Sequence, residues 1–170
     1  MIFGRPGSGK STFSYYLSNT LNIPLFHLDK YFYISNWNER NYDEFIAIQK
    51  NLVSNDMWII DGNSTKSLEI RYKSADLILY FNFPRYLCYF RILKRYFKPN
   101  KFFDDRAKDC KEQITWSLLK YMWGFENRVT KSIKFLQKKY PEGVFVEIRG
   151  SGDLKIIGER LVKLRAPSLL

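Results

Sequence analysis

The sequence predicts an α/β domain, a five-stranded parallel sheet with helices on both faces. Three observations carry this. Near its start the chain reads Gly4-Arg5-Pro6-Gly7-Ser8-Gly9-Lys10-Ser11-Thr12, which fills every specified position of G-x-x-x-x-G-K-[ST] between an apolar strand end and a helical pattern. Five short apolar runs alternate with stretches whose apolar residues recur at helical spacing. No internal repeat or low-complexity linker interrupts the 170 residues, so 1–170 reads as one domain. Together they specify the three-layer P-loop NTPase fold, with a lid segment at about 98–125.

The first strand is Met1-Ile2-Phe3, short for a central strand, and an earlier natural start of the coding region is one expectation it raises. Phe13, Tyr16, Leu17 and Leu21 then mark the helix behind the loop. Ile23-Pro24-Leu25-Phe26-His27-Leu28-Asp29 is a second strand ending in an acid, and His27 reads as a structural histidine. Residues 30–42, rich in Tyr, Trp and Asn, form a loop over the site. Asp43 is the expected cap of a helix carrying Phe45, Ile48, Leu52 and Val53. Met57-Trp58-Ile59-Ile60-Asp61 is the third strand, running into Gly62-Asn63, and residues 64–76 are polar. Leu77 to Phe81 is the fourth strand. The helix after Pro84 is expected to bury Leu87, Phe90, Leu93 and Phe97. The polar stretch 99–112 is the centre of the lid, followed by one or two helices with Ile114, Leu118, Met122, Val129, Ile133 and Leu136 inward. Val144 to Ile148 is the fifth strand, and residues 153–165 form a closing helix.

Composition narrows the class. With 45% hydrophobic and 26% charged residues the chain is an ordinary globular protein, and no apolar run has bilayer-spanning length, so no membrane partner is expected. No signal peptide is expected ahead of the loop. Cys88 and Cys110 have neither metal-site spacing nor a disulfide framework, which suits the cytoplasm. The net charge of +11 attracts polyphosphates and, non-specifically, nucleic acid, and charge alone does not separate the two. A monomer or a homodimer fits equally.

The glycine-rich loop carries the chemistry. Its glycines let the backbone N–H groups of Gly4 to Thr12 converge on a phosphate, and the following helix offers its positive end. Lys10 adds a charge for the β- and γ-phosphates, and Ser11 is placed to ligate Mg2+. This predicts binding of a nucleoside triphosphate, ATP with Mg2+. Asp61, an acid closing an apolar strand downstream of such a loop, has the form of a Walker B carboxylate and is the second metal candidate. Asp29 would face the crevice at the strands' carboxyl ends. Trp37 and Arg40 are the loop's candidates for acceptor contact, with surface packing as the alternative. Arg91 and Arg95 share a helix face, either as a solvated basic face or as a pair aimed at the transferring phosphate. Arg128 is a further basic group within reach.

On these residues the chain resembles the adenylate-kinase-like P-loop kinases, and among them a small bacterial group called DNA topology modulation proteins. The resemblance rests on Gly4–Thr12, His27-Leu28-Asp29-Lys30, Trp58-Ile59-Ile60-Asp61-Gly62-Asn63, Arg71, Ala75-Asp76, Phe83-Pro84-Arg85 and the aromatic stretch Trp116 to Phe125. It implies strand order 2-3-1-4-5 and a phosphoryl-transfer site at the strands' carboxyl ends. It implies catalytic roles for Lys10, Asp29, Asp61, Arg91 and Arg95. Arg71 resembles an acceptor-phosphate arginine, and Asp29, Trp37, Arg40 and Asn63 complete the acceptor side. Asp61-Gly62 is followed by Asn63-Ser64 and not by the aromatic-Pro-Arg run of the nucleotide monophosphate kinases, so the acceptor stays open. The leading expectation is a phosphotransferase moving the γ-phosphate of ATP to a small-molecule acceptor. The alternatives are an ATP-binding regulator acting on DNA and a plain ATPase.

Overall fold

The structure, a computed structural model, describes residues 1–98, 107, 109–110 and 113–165. Most of the stretch 99–112, expected as the centre of the lid, lies outside the described residues. The sheet is built from β1 (Ile2–Gly4), β2 (Leu25–His27), β3 (Ile59–Asp61), β4 (Leu77–Phe81) and β5 (Val144–Ile148). Its order is β2-β3-β1-β4-β5 and every pairing is parallel. This is the order the family resemblance implied.

Both faces of the sheet are buried, which explains why its strands read as nearly continuous apolar runs. Successive side chains point to opposite faces. Ile2, Leu79 and Phe81 therefore pack with Phe13 and Leu17 of α1 (Lys10–Leu21) and Ile92 of α5 (Arg85–Phe97). Leu154, Ile157 and Leu161 of the last helix, α8 (Ser151–Arg165), join this layer. Phe3, Ile78 and Tyr80 face the other way, toward Phe125, Val129, Ile133 and Leu136 of α7 (Phe125–Lys139). Leu68 and Tyr72 of the short α4 (Leu68–Tyr72) join them. A third cluster joins Ile60 to Leu28 of α2 (Leu28–Phe32) and to Phe45 and Leu52 of α3 (Tyr42–Leu52). The remaining helix, α6 (Trp116–Trp123), starts at Thr115, whose hydroxyl accepts the Leu118 N–H. Among the described residues no helix is long and apolar enough to cross a membrane.

Several local expectations are corrected. The cap of α3 is Asn41, whose side chain accepts the Asp43 and Glu44 N–H groups; Asp43 lies in the first turn. The second strand ends at His27, and Asp29 lies in the first turn of α2 instead of at the strand terminus. Residues 64–76, read as polar chain, include α4. Helix α5 is rotated from its predicted face. Phe90, Leu93 and Phe97 are 63%, 50% and 77% exposed, while Cys88 and Ile92 are buried. The cause is the glycine-rich loop. At Gly7, with φ +78°, a Cβ would stand 2.5 Å from the Cys88 carbonyl oxygen and 2.9 Å from Ile92 Cγ1. Only glycine allows that approach, and it turns the Cys88–Ile92 face inward.

Candidate active site at the carboxyl ends of the strands

The loop between β1 and α1 is held from three sides. The Gly4 N–H donates to Asn63 Oδ1 at 2.9 Å, and the Arg5 N–H donates to the Phe81 carbonyl at 3.3 Å. Arg91 Nη1 donates to the Ser8 carbonyl at 2.9 Å, with its guanidinium 4.9 Å from the Phe83 ring centroid. Helix α1 then begins at Lys10, after Gly9 in a left-handed conformation, and its first turn contains no acid. The positive end of the helix is thus presented to the loop's concave side. Ser8 Oγ is buried with no hydrogen-bond partner among the described residues. A buried hydroxyl in this position suits a ligand that brings its own acceptors, such as a phosphate. The Arg5 side chain points inward, donating to the Phe83 carbonyl at 2.8 Å and to Glu126 Oε2 at 3.3 Å. Thr12 is exposed on α1.

Asp61, Ser11, Lys10 and His27 converge beside this loop. His27 and Asp61 are register partners on β2 and β3, and Nδ1 of the histidine lies 3.1 Å from Asp61 Oδ2. The Ser11 hydroxyl and the Lys10 charge both act on the same carboxylate. Burial alone would raise the Asp61 carboxyl. The hydrogen bonds from His27 and Ser11, with the charges of Lys10 and His27, outweigh burial and hold it below the ordinary carboxylate value. A carboxylate beside a serine hydroxyl is a hard oxygen donor set, and it fits a Mg2+ that takes its remaining ligands from phosphates and water. Among the described residues no group of three or more His, Cys, Asp and Glu could hold a metal alone.

The acceptor side departs most from expectation. Arg71 is fully buried; Nη1 donates to the Gly62 carbonyl at 3.1 Å and Nη2 to the Ser64 carbonyl at 2.8 Å. Burial lowers it to about 10, against the charges of Asp61 and Asp29. Arg71 therefore braces the Gly62–Ser64 turn instead of offering its guanidinium to an acceptor. Arg40 is likewise engaged, donating from Nε to the Tyr31 carbonyl at 2.8 Å and lying 3.6 Å from Glu44. Asn63 is the strut on Gly4. The Trp37 ring lies edge-on against Tyr33 at 5.0 Å, and the Trp37 backbone N–H donates to Cys110 Sγ at 3.2 Å. Arg128 closes the end of α6, donating to the Tyr121 carbonyl with its guanidinium over that residue's ring. Arg95 is half-buried one helical turn beyond Arg91.

Asp29 is exposed in the first turn of α2, and its charge reaches Tyr33, Tyr121 and Arg71. Burial raises the Tyr33 hydroxyl, helped by Asp29, and lifts Tyr121 to about 12. Tyr33 and Tyr121 thus stand as neighbours of Asp29, and His27 is a histidine satisfied by Asp61, as its structural reading expects. Nothing local in the sequence marks the two tyrosines.

No family model matches the chain, and no curated protein matches it in sequence. Solved structures do. The shikimate kinase from Acinetobacter baumannii, in complex with shikimate, superposes with TM-score 0.60 at 12% identity, over 99% of this chain and 93% of that one. An uncharacterized protein from Eubacterium ventriosum gives TM-score 0.50 at 12% identity, over 97% and 96% of the two chains. The shikimate kinase from Aquifex aeolicus gives 0.46 at 16%, over 99% and 98%. At such identities the likeness is one of fold, shared with the Acinetobacter baumannii shikimate kinase.

Proposed function

We propose that this protein is an ATP-dependent phosphotransferase with a hydroxyl-bearing small molecule as acceptor. The observation that carries the reading is the convergence of Lys10, Ser11 and an ionised Asp61 on one glycine-rich loop, with Arg91 bonded to the loop itself. The loop amides and Lys10 bind and orient the triphosphate. Ser11 and Asp61 would hold Mg2+, which when bound neutralises charge on the β- and γ-phosphates. Arg91 keeps the loop in its binding shape, and Arg95 on the same helix supplies charge toward the transferred group. Asp29 accepts the proton of the acceptor hydroxyl as the new O–P bond forms and the bond to ADP breaks. Because this chemistry is largely positioning and electrostatics, a rigid loop and a carboxylate kept ionised are its main requirements.

Phosphoryl transfer also fits the fold, shared with a shikimate kinase solved in complex with shikimate. The test is transfer from γ-labelled ATP, with Mg2+, to a panel of sugars, nucleosides, nucleotides and hydroxy acids including shikimate. A labelled acceptor supports the reading. Release of free phosphate alone, with every acceptor silent, overturns it in favour of an ATPase.

A further inference from the structure

The pairing of His27 with Asp61 does more than fill the core. Parallel register sets Leu25 opposite Ile59, Phe26 opposite Ile60 and His27 opposite Asp61, so the imidazole and the carboxylate leave one face of the sheet side by side. Both are nearly withdrawn from water, at 9% and 3% exposure, so solvent cannot readily take the place of either partner. An ionised carboxylate can only accept, and Nδ1 therefore carries the proton in the 3.1 Å bond to Oδ2. The backbone beyond the pair is equally constrained. Gly62 has φ +144°, and a Cβ there would stand 2.6 Å from Leu28 Cβ, so the chains leaving β2 and β3 lie against each other. Asp61 is thereby fastened at its backbone and at one oxygen, while the Ser11 hydroxyl reaches the same carboxylate from the start of α1.

We propose that His27 is a positioning residue: its Nδ1–H fixes the rotation of the Asp61 carboxylate, so that carboxylate and Ser11 hydroxyl present one preformed oxygen site to a divalent cation arriving with the triphosphate. The inference rests on the reading of Ser11 and Asp61 as the metal side of the site. A short carboxylate freed of this bond would need to be ordered on each binding event, and partners of this kind typically account for about 10- to 100-fold in metal affinity.

The experiment measures affinity for a fluorescent ATP analogue by titration, in EDTA and across a Mg2+ series, for the wild type and for His27→Leu, His27→Asn and His27→Gln, with melting temperatures alongside. The Asn amide nitrogen overlays Nδ1, whereas the Gln amide nitrogen sits at the place of Nε2. His27→Leu is expected to need about 10-fold more Mg2+ or greater for the same gain in affinity. His27→Asn is expected to recover most of that loss and His27→Gln little of it. Affinity in EDTA stays at the wild-type value, because the loop amides and Lys10 act without the cation. If His27→Leu does not fold, the contrast between Asn and Gln decides. Three results overturn the proposal: wild-type Mg2+ dependence in His27→Leu, equal recovery by Asn and Gln, or a loss in EDTA that parallels the loss in Mg2+ and the drop in melting temperature. A wild type whose binding ignores Mg2+ overturns the metal reading itself, and is told apart because the failure then appears before any substitution.

Discussion

Replacing Arg71 by Met separates a brace from a substrate contact. Methionine is about as long and keeps the core filled, so the change mainly removes the guanidinium. What is lost is two hydrogen bonds from a charged donor, to the Gly62 carbonyl at 3.1 Å and the Ser64 carbonyl at 2.8 Å. Each such bond contributes about 1.5–3 kcal/mol. Against this, the substitution relieves the cost of burying the charge, which is large enough to lower Arg71 to about 10. The two carbonyls are left without that donor, and Asp61 and Asp29 lose a nearby positive charge. The net loss is about 3 kcal/mol, which for a chain of this size lowers the melting temperature by about 6–12 °C. Thermal melting followed by circular dichroism reads this directly, and titration with an ATP analogue should show weakened binding, because Asn63 in the same turn holds Gly4. Melting within about 2 °C of wild type, with ATP binding intact and transfer to the acceptor selectively lost, would refute the reasoning and return Arg71 to the acceptor side.

Three other outcomes follow from the site. Lys10→Ala should weaken triphosphate binding by about 10- to 100-fold, the worth of one charge-assisted contact, and unchanged affinity in a calorimetric titration would sink the loop assignment. Asp29→Asn should abolish acceptor-dependent transfer while sparing ATP binding; unchanged labelled transfer removes its role. Asp61 titrates below the ordinary carboxylate value of about 4, so its stabilisation is complete above that pH and is lost as pH falls through the lower native value. Urea midpoints taken from about pH 6 down to about pH 3 should therefore fall more steeply for the wild type than for Asp61→Asn, and parallel curves would contradict the ionised, hydrogen-bonded carboxylate.

The sequence by itself determined the parts of this protein that are local. The phosphate loop is contiguous, and its glycines, Lys10 and Ser11 have meaning at their spacing alone. The alternation of apolar runs with helical patterns set the fold class, because burial on both faces leaves a signature in each strand separately. Tertiary structure decided everything that depends on which distant residues meet. The register that sets His27 against Asp61 joins positions 34 apart in sequence. The inward face of α5 packs on Gly7, far upstream; of the stripe that spacing favoured, Leu87 packs on the core while Phe90, Leu93 and Phe97 are exposed. Arginines were the least legible residues. Arg40, Arg71 and Arg128 all read as candidates for phosphate or acceptor, yet each is held by carbonyls or carboxylates of the fold. A guanidinium is a long, five-donor group that serves a backbone turn as readily as a ligand, and only the positions of the surrounding acceptors say which it does.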